Sequence, residues 1–247
     1  MKKLILHIPH SSTNIPSLEG YVADANKIQN EIVKLTDWYT DELFFSETDI
    51  RIVAPFSRIF CDVERFENDE EEVMSNVGMG AVYERFDNGD LLRKVTSDLR
   101  AKIIKDYYWK HHNAFLDKVK EELNQSNSCL IIDCHSYPSI PIIRDLDQTA
   151  IRPDFNIGID SYHTPKNLIT ACIAFFEEKG YSLGVDWPYK GTIVPIEYYQ
   201  KNKAVYSIML EVNRKLYLNE PSNEKSNQFE ETKQVVKGFL EFIKKVM

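Results

Sequence analysis

Short apolar runs rich in β-branched residues alternate along this chain with longer amphipathic stretches. Leu4 to Ile8, Ile50 to Ala54, Ile59 to Val63, Leu130 to Asp133, Asn156 to Ile159 and Ser207 to Val212 read as strands. Several are apolar at consecutive positions, the pattern of strands covered on both faces. Helical periodicity predicts helices over about Ala25 to Phe45, Leu91 to Asn124, Lys166 to Lys179 and Glu224 to Val246. Strands alternating with helices imply an α/β fold whose central sheet is mixed and mostly parallel. No repeat or low-complexity linker divides residues 1–247, so a single domain is expected.

The formal net charge of -8 argues against nucleic acid, whose phosphate backbone requires a clustered positive surface. No apolar run approaches the roughly 20 residues needed to cross a bilayer, so no membrane partner is expected. Met1 to Ile8 faintly imitates a signal peptide, but His7, Pro9 and His10 interrupt it and no small-residue cleavage site follows, which leaves a first strand. The cysteines at 61, 129, 134 and 172 form no C-x-x-C pair. They read as reduced, buried thiols of a cytoplasmic protein.

Two histidines fall where an open α/β sheet places ligands, at the carboxyl ends of strands. His10 follows Leu4 to Pro9 and precedes Ser11-Ser12; His135 follows Leu130 to Cys134 and precedes Ser136. Either alone is as readily a hydrogen-bonded strand-end histidine; the matched pair points to metal. Asp133, on the same face of its strand as His135, is placed to orient that ring. Catalytic zinc takes three protein ligands and keeps a position for water. Asp37 is a candidate for the third, as is Asp41 one helical turn on, against the alternative of a solvated helix face. His7 reads as a core imidazole and His163 as a loop residue, and at most one of His111 and His112 can face a site.

Arg58 and Arg65 bracket one short predicted strand. They are either an oxyanion-stabilising residue and a carboxylate clamp, or structural partners of Asp62, Glu64 and Glu67. Glu211 lies in a strand otherwise built for burial, so it has either a chemical task, as a general base, or an arginine partner such as Arg214. Tyr189, in Trp187-Pro188-Tyr189-Lys190-Gly191, sits on a loop that can approach a ligand closely.

The ordered set His10-Ser11-Ser12, Thr36-Asp37, Ser57-Arg58, Asp62-Val63-Glu64-Arg65, Asp133-Cys134-His135-Ser136, Pro188-Tyr189-Lys190-Gly191 and Glu211-Val212-Asn213-Arg214 resembles the N-formylglutamate amidohydrolase family, over about residues 4 to 217. The resemblance implies an α/β/α sandwich of the zinc-exopeptidase kind that hydrolyses a small acidic N-acyl-amino acid. It implies one zinc ion on His10 and His135, with Asp37 taken as the third ligand. Arg58 would polarise the carbonyl, Glu211 would act as base, and Arg65, Tyr189 and Arg214 would contact substrate. The chain departs from the wider group's His-x-x-Glu at His10-Ser11-Ser12-Thr13, and Glu64 replaces the asparagine usual before Arg65. Two rivals stand: a metallocarboxypeptidase or peptidoglycan-fragment amidase on the same scaffold, and a metal-free binding protein.

Overall fold

The computed structural model describes residues 3–220 and 222–246. Its centre is a six-stranded sheet in the order β2-β1-β3-β6-β4-β5. The strands are β1 (Leu4–Ile8), β2 (Ile50–Val53), β3 (Cys129–Tyr137), β4 (Phe155–Gly158), β5 (Leu183–Val185) and β6 (Val205–Asn213). All neighbouring pairs are parallel except β4 and β6, so the sheet is mixed and mostly parallel, as the patterning implied. A small hairpin, β7 (Leu218–Asn219) and β8 (Glu224–Lys225), follows it.

Helices cover both faces. Six are described: α1 (Ala25–Leu35), α2 (Thr40–Leu43), α3 (Ser97–Ile103), α4 (Trp109–Ser126), α5 (Lys166–Glu178) and α6 (Phe229–Val246). Leu6, Ile132, Leu210 and Phe155 pack against α5 and α6 in one core. On the opposite face Ile5, Ile131 and Val205 meet Phe115 and Val119 of α4. Because side chains alternate along a strand, that second face continues upward from its apolar floor through His7, Asp133 and Ser207 to His135 and Glu211. The same periodicity that fills the core therefore delivers polar groups to the carboxyl edge of the sheet.

Three expectations need correction. Residues 59–63 form turns, not a strand: Phe60 and Cys61 both bond back to the carbonyl of Ser57, and Arg65 to that of Asp62. Their apolar side chains divide between two separate clusters, which imitates a strand in sequence. The helix expected over 25–45 breaks after Leu35; Tyr39 takes a positive φ of 59°, and the break brings Asp37 inward, its N–H on the carbonyl of His10 at 3.0 Å. The long helix begins only at Ser97, capped by Thr96, and a π turn over Ile104–Tyr108 joins α3 to α4. All four cysteines are free and buried. Among the described residues no helix is long and apolar enough to cross a membrane.

Candidate active site

The carboxyl ends of β1, β3 and β6 open into a cavity of about 540 Å³. His10, Asp37, Arg58, Glu64, Arg65, His135, Tyr189, Glu211 and Arg214 all line it, so the structure brings together residues from six separated segments. Asp41 is not among them, and the helix break between Leu35 and Thr40 explains why the two aspartates diverge.

His10, Asp37 and His135 are all buried and present one donor atom each within 4.8 Å of the others. Oδ2 of Asp37 lies 3.6 Å from Nδ1 of His10 and 3.2 Å from Nδ1 of His135. Ligand atoms about 2.0–2.1 Å from a tetrahedral zinc stand roughly 3.3 Å apart, so this spacing suits a shared cation. The other nitrogen of each ring is already held: Nε2 of His10 meets Oδ1 of Asp62 at 2.8 Å, and Nε2 of His135 meets Oδ1 of Asp133 at 3.1 Å. A proton held on Nε2 by these carboxylates would leave each Nδ1 a lone pair on the side of Asp37, the tautomer a metal requires. Nδ1 of His10 is buried and accepts or donates no hydrogen bond, which fits a donor set built for an ion.

Arg214 orients Asp37 from behind. Its Nη2 donates to Oδ1 of Asp37 at 3.0 Å and its Nη1 to the carbonyl of Lys34 at 3.0 Å. The guanidinium expected to face substrate thus has its donors committed to protein acceptors. Burial disfavours the Asp37 carboxylate, but the imidazoles of His10 and His135 beside it and the charge of Arg214 hold it far below the usual range.

Arg58 and Arg65 wrap the turn around Asp62. Arg58 donates to Oδ2 of Asp62 from Nε (3.1 Å) and Nη2 (2.9 Å), and Tyr83 donates its hydroxyl to the same oxygen at 2.9 Å. Arg65 is held loosely, 3.7 Å from Asp62 and 3.7 Å from Glu72, and its Nε is buried without a hydrogen bond. Glu211, opposite His135 in register on β6, forms no ion pair among the described residues, and its Oε2 accepts no hydrogen bond. Burial is the main cause that lifts its carboxyl to about 8, with His135 and Arg214 pulling the other way and Asp37 adding to the rise. Tyr189 bonds Oδ1 of Asp145 through its hydroxyl (3.0 Å) and accepts from Arg152 (3.2 Å), tying its loop to the 138–152 segment on the other rim.

Sequence reading passed over two features. Asp62 counted only as an ion-pair neighbour of the arginines, although a lone acid between apolar Cys61 and Val63 was a sign of a buried task. His7 is buried as expected, yet it belongs to a polar network: its Nδ1 meets Asp133 at 2.9 Å and its Nε2 meets Nε2 of His111 at 2.9 Å. His112 bonds the carbonyl of Val63, and His163 knits a loop to Val205 and Gln200, so neither lines the cavity.

Fold and site define the class: an α/β protein with a buried His-Asp-His cluster able to hold a metal ion at the carboxyl edge of its sheet, and a buried acid across from it. The family model for N-formylglutamate amidohydrolase matches residues 2–218, and the chain belongs to that family. It is similar to the N-formylglutamate deformylase of Pseudomonas aeruginosa, 23% identical over 255 residues that cover 96% of this chain and 91% of that protein. The Pseudomonas putida deformylase is 22% identical over 255 residues with the same coverage, 96% and 91%. In fold, the chain matches the crystal structure of N-formylglutamate amidohydrolase from Ralstonia eutropha with a TM-score of 0.84 at 21% identity, covering 99% of this chain and 95% of that one. A gene product of Agrobacterium tumefaciens superposes with a TM-score of 0.65 at 16% identity, covering 99% and 90%. The family and the mixed α/β sheet expected from the ordered motifs are those found.

The charge pattern predicts how the metal-free protein responds to pH. Asp37, Asp62 and Asp133 are all held below the ordinary carboxylate value of 3.8 despite burial, so their contribution is present above it and lost as the pH falls through their lowered values. Burial works against a charged His7, but Asp133 and Glu64 lift it from 6.5 to about 9, so its contribution is full below 6.5 and lost as the pH rises through 9. Glu211, raised from 4.5 to about 8, adds to the alkaline loss because the unfolded chain ionises it first. Burial lowers His111 to about 2 and His112 to about 4, so both cost stability as the pH falls below 6.5 and together outweigh Glu211 there. Melting temperatures of chelator-treated protein should therefore peak near pH 6.5 and decline on both sides. A flat profile from there to about pH 10 would contradict this charge assignment.

Proposed function

We propose that this protein hydrolyses the amide bond of N-formylglutamate or a closely related N-acyl-amino acid with an acidic side chain, using one zinc ion. The observation that carries the reading is the pair of histidine rings, each pinned at Nε2 by a buried carboxylate and turned at Nδ1 towards Asp37, with the unpaired Glu211 opposite. The names of the similar deformylases and of the family point to the same substrate.

His10, Asp37 and His135 would hold the ion, with Arg214 keeping the Asp37 carboxylate in register. Two imidazoles and one carboxylate suit zinc better than magnesium or calcium, which prefer all-oxygen shells. A bound zinc polarises a carbonyl and lowers the pKa of a water towards neutrality. Glu211 takes the proton of the attacking water and passes it to the departing nitrogen; a carboxyl raised to about 8 both accepts and releases a proton near neutral pH. Arg58, fixed by two hydrogen bonds to Asp62, faces the oxygen on which charge develops. Arg65, with donors to spare, clamps the substrate carboxylate. The products are glutamate and formate, or the corresponding small acid.

Glu211→Gln retains volume and hydrogen-bonding shape but cannot take the proton. Zinc content and melting temperature should stay near wild type while kcat falls roughly 100-fold or more; near-normal kcat would remove the general-base role. The arginines should separate in steady-state kinetics. Arg65→Ala is expected chiefly to raise KM, because the clamp acts alike on substrate and transition state, and Arg58→Ala chiefly to lower kcat. Small, equal effects of the two would return both to purely structural ion pairing with Asp62.

A further inference from the structure

Beneath the cavity, His7 sits fully buried on β1, beside Asp133 in register on β3. One nitrogen, Nδ1, faces two carboxylates: Oδ1 of Asp133 at 2.9 Å, hydrogen bonded, and Oε1 of Glu64 at 3.0 Å, close but off the hydrogen-bond line. These three residues are also a donor cluster of metal-binding type. Their separations of 2.9 and 3.0 Å fall short of the roughly 3.3 Å edge of a tetrahedral zinc shell and match hydrogen bonding instead. The other nitrogen is spoken for by His111.

Each carboxylate leads somewhere different. The oxygen of Asp133 that meets His7 is the one that holds Nε2 of His135. Glu64 lines the cavity among Arg58 and Arg65, yet among the described residues its ion pairs are with His7 and, at 3.9 Å, His135; no arginine pairs with it. An unrestrained carboxylate there would compete with an acidic substrate for Arg65, whose guanidinium ion pairs are both at 3.7 Å.

We propose that His7 is a positioning residue with two outputs: through Asp133 it fixes the ring of the ligand His135, and through Glu64 it keeps a competing carboxylate off Arg65. The second output rests on the functional reading above; the first concerns zinc affinity and needs no substrate.

Two near-isosteric amides divide the roles, because asparagine carries its N–H donor where Nδ1 lies and glutamine carries it where Nε2 lies. Zinc affinity is measured by competition with a chromophoric chelator, and kcat and KM on N-formylglutamate. In His7→Gln the zinc Kd should rise roughly 10–100-fold, as for other losses behind a ligand histidine, and KM should rise severalfold. His7→Asn, which keeps the donor to Asp133 but not the charge facing Glu64, should keep the zinc Kd within a fewfold of wild type. Adding Glu64→Gln to His7→Gln should restore KM but leave zinc binding weak. Equal losses of zinc affinity in the Asn and Gln variants, or wild-type zinc affinity in folded His7→Gln, would overturn the proposal. So would a KM that stays high in the double variant. Zinc affinities that differ as expected in a protein without turnover on any N-acyl glutamate would sink the functional reading and the Glu64 output, and leave the Asp133 output standing.

Discussion

Carboxylates at the carboxyl edge of a buried sheet have to be matched by donors, and here the matching hydrogen bonds set the geometry of everything above them. Asp133 takes bonds from His7 and His135 on one oxygen, and Asp62 takes bonds from His10, Arg58 and Tyr83. Removing any one donor leaves a buried charge undercompensated, which costs several kcal/mol in typical cases. The rings of His10 and His135 are therefore oriented by the protein itself. Asp37 completes the arrangement from a break between two helices, with Arg214 behind it.

This preorganisation follows from strand periodicity. On β3 the residues facing α4 run Ile131, Asp133, His135, and on β6 they run Val205, Ser207, Met209, Glu211. An apolar floor, a polar middle layer and a reactive top layer arise from one alternation. The cavity lies at the top, where the parallel strands end and the connecting segments bring in Asp37, Arg58, Arg65 and Tyr189.

The strands that carry the site were legible because their apolar runs end in histidine or glutamate, and the ordered motifs pointed to the family. The orienting role of Asp133 followed from its place two residues before His135. Other features resisted reading. The segment around Arg58 and Arg65 imitates a strand because its buried side chains serve two cores, and only the backbone shows that it turns. Asp37 lies where helical periodicity continues across a helix break, so its inward direction is invisible in the pattern. The setting of His7 depends on Glu64 and His111, which come from distant segments, and burial alone made it look like an inert core residue.

The central claim is that His10, Asp37 and His135 together hold one zinc ion. Metal content of purified protein, measured by elemental analysis after reconstitution with zinc and removal of the excess, tests it most directly. One zinc per chain in the wild type, and loss of it in folded His10→Ala and His135→Ala, is the expected result. Wild-type zinc content in both variants would contradict the account.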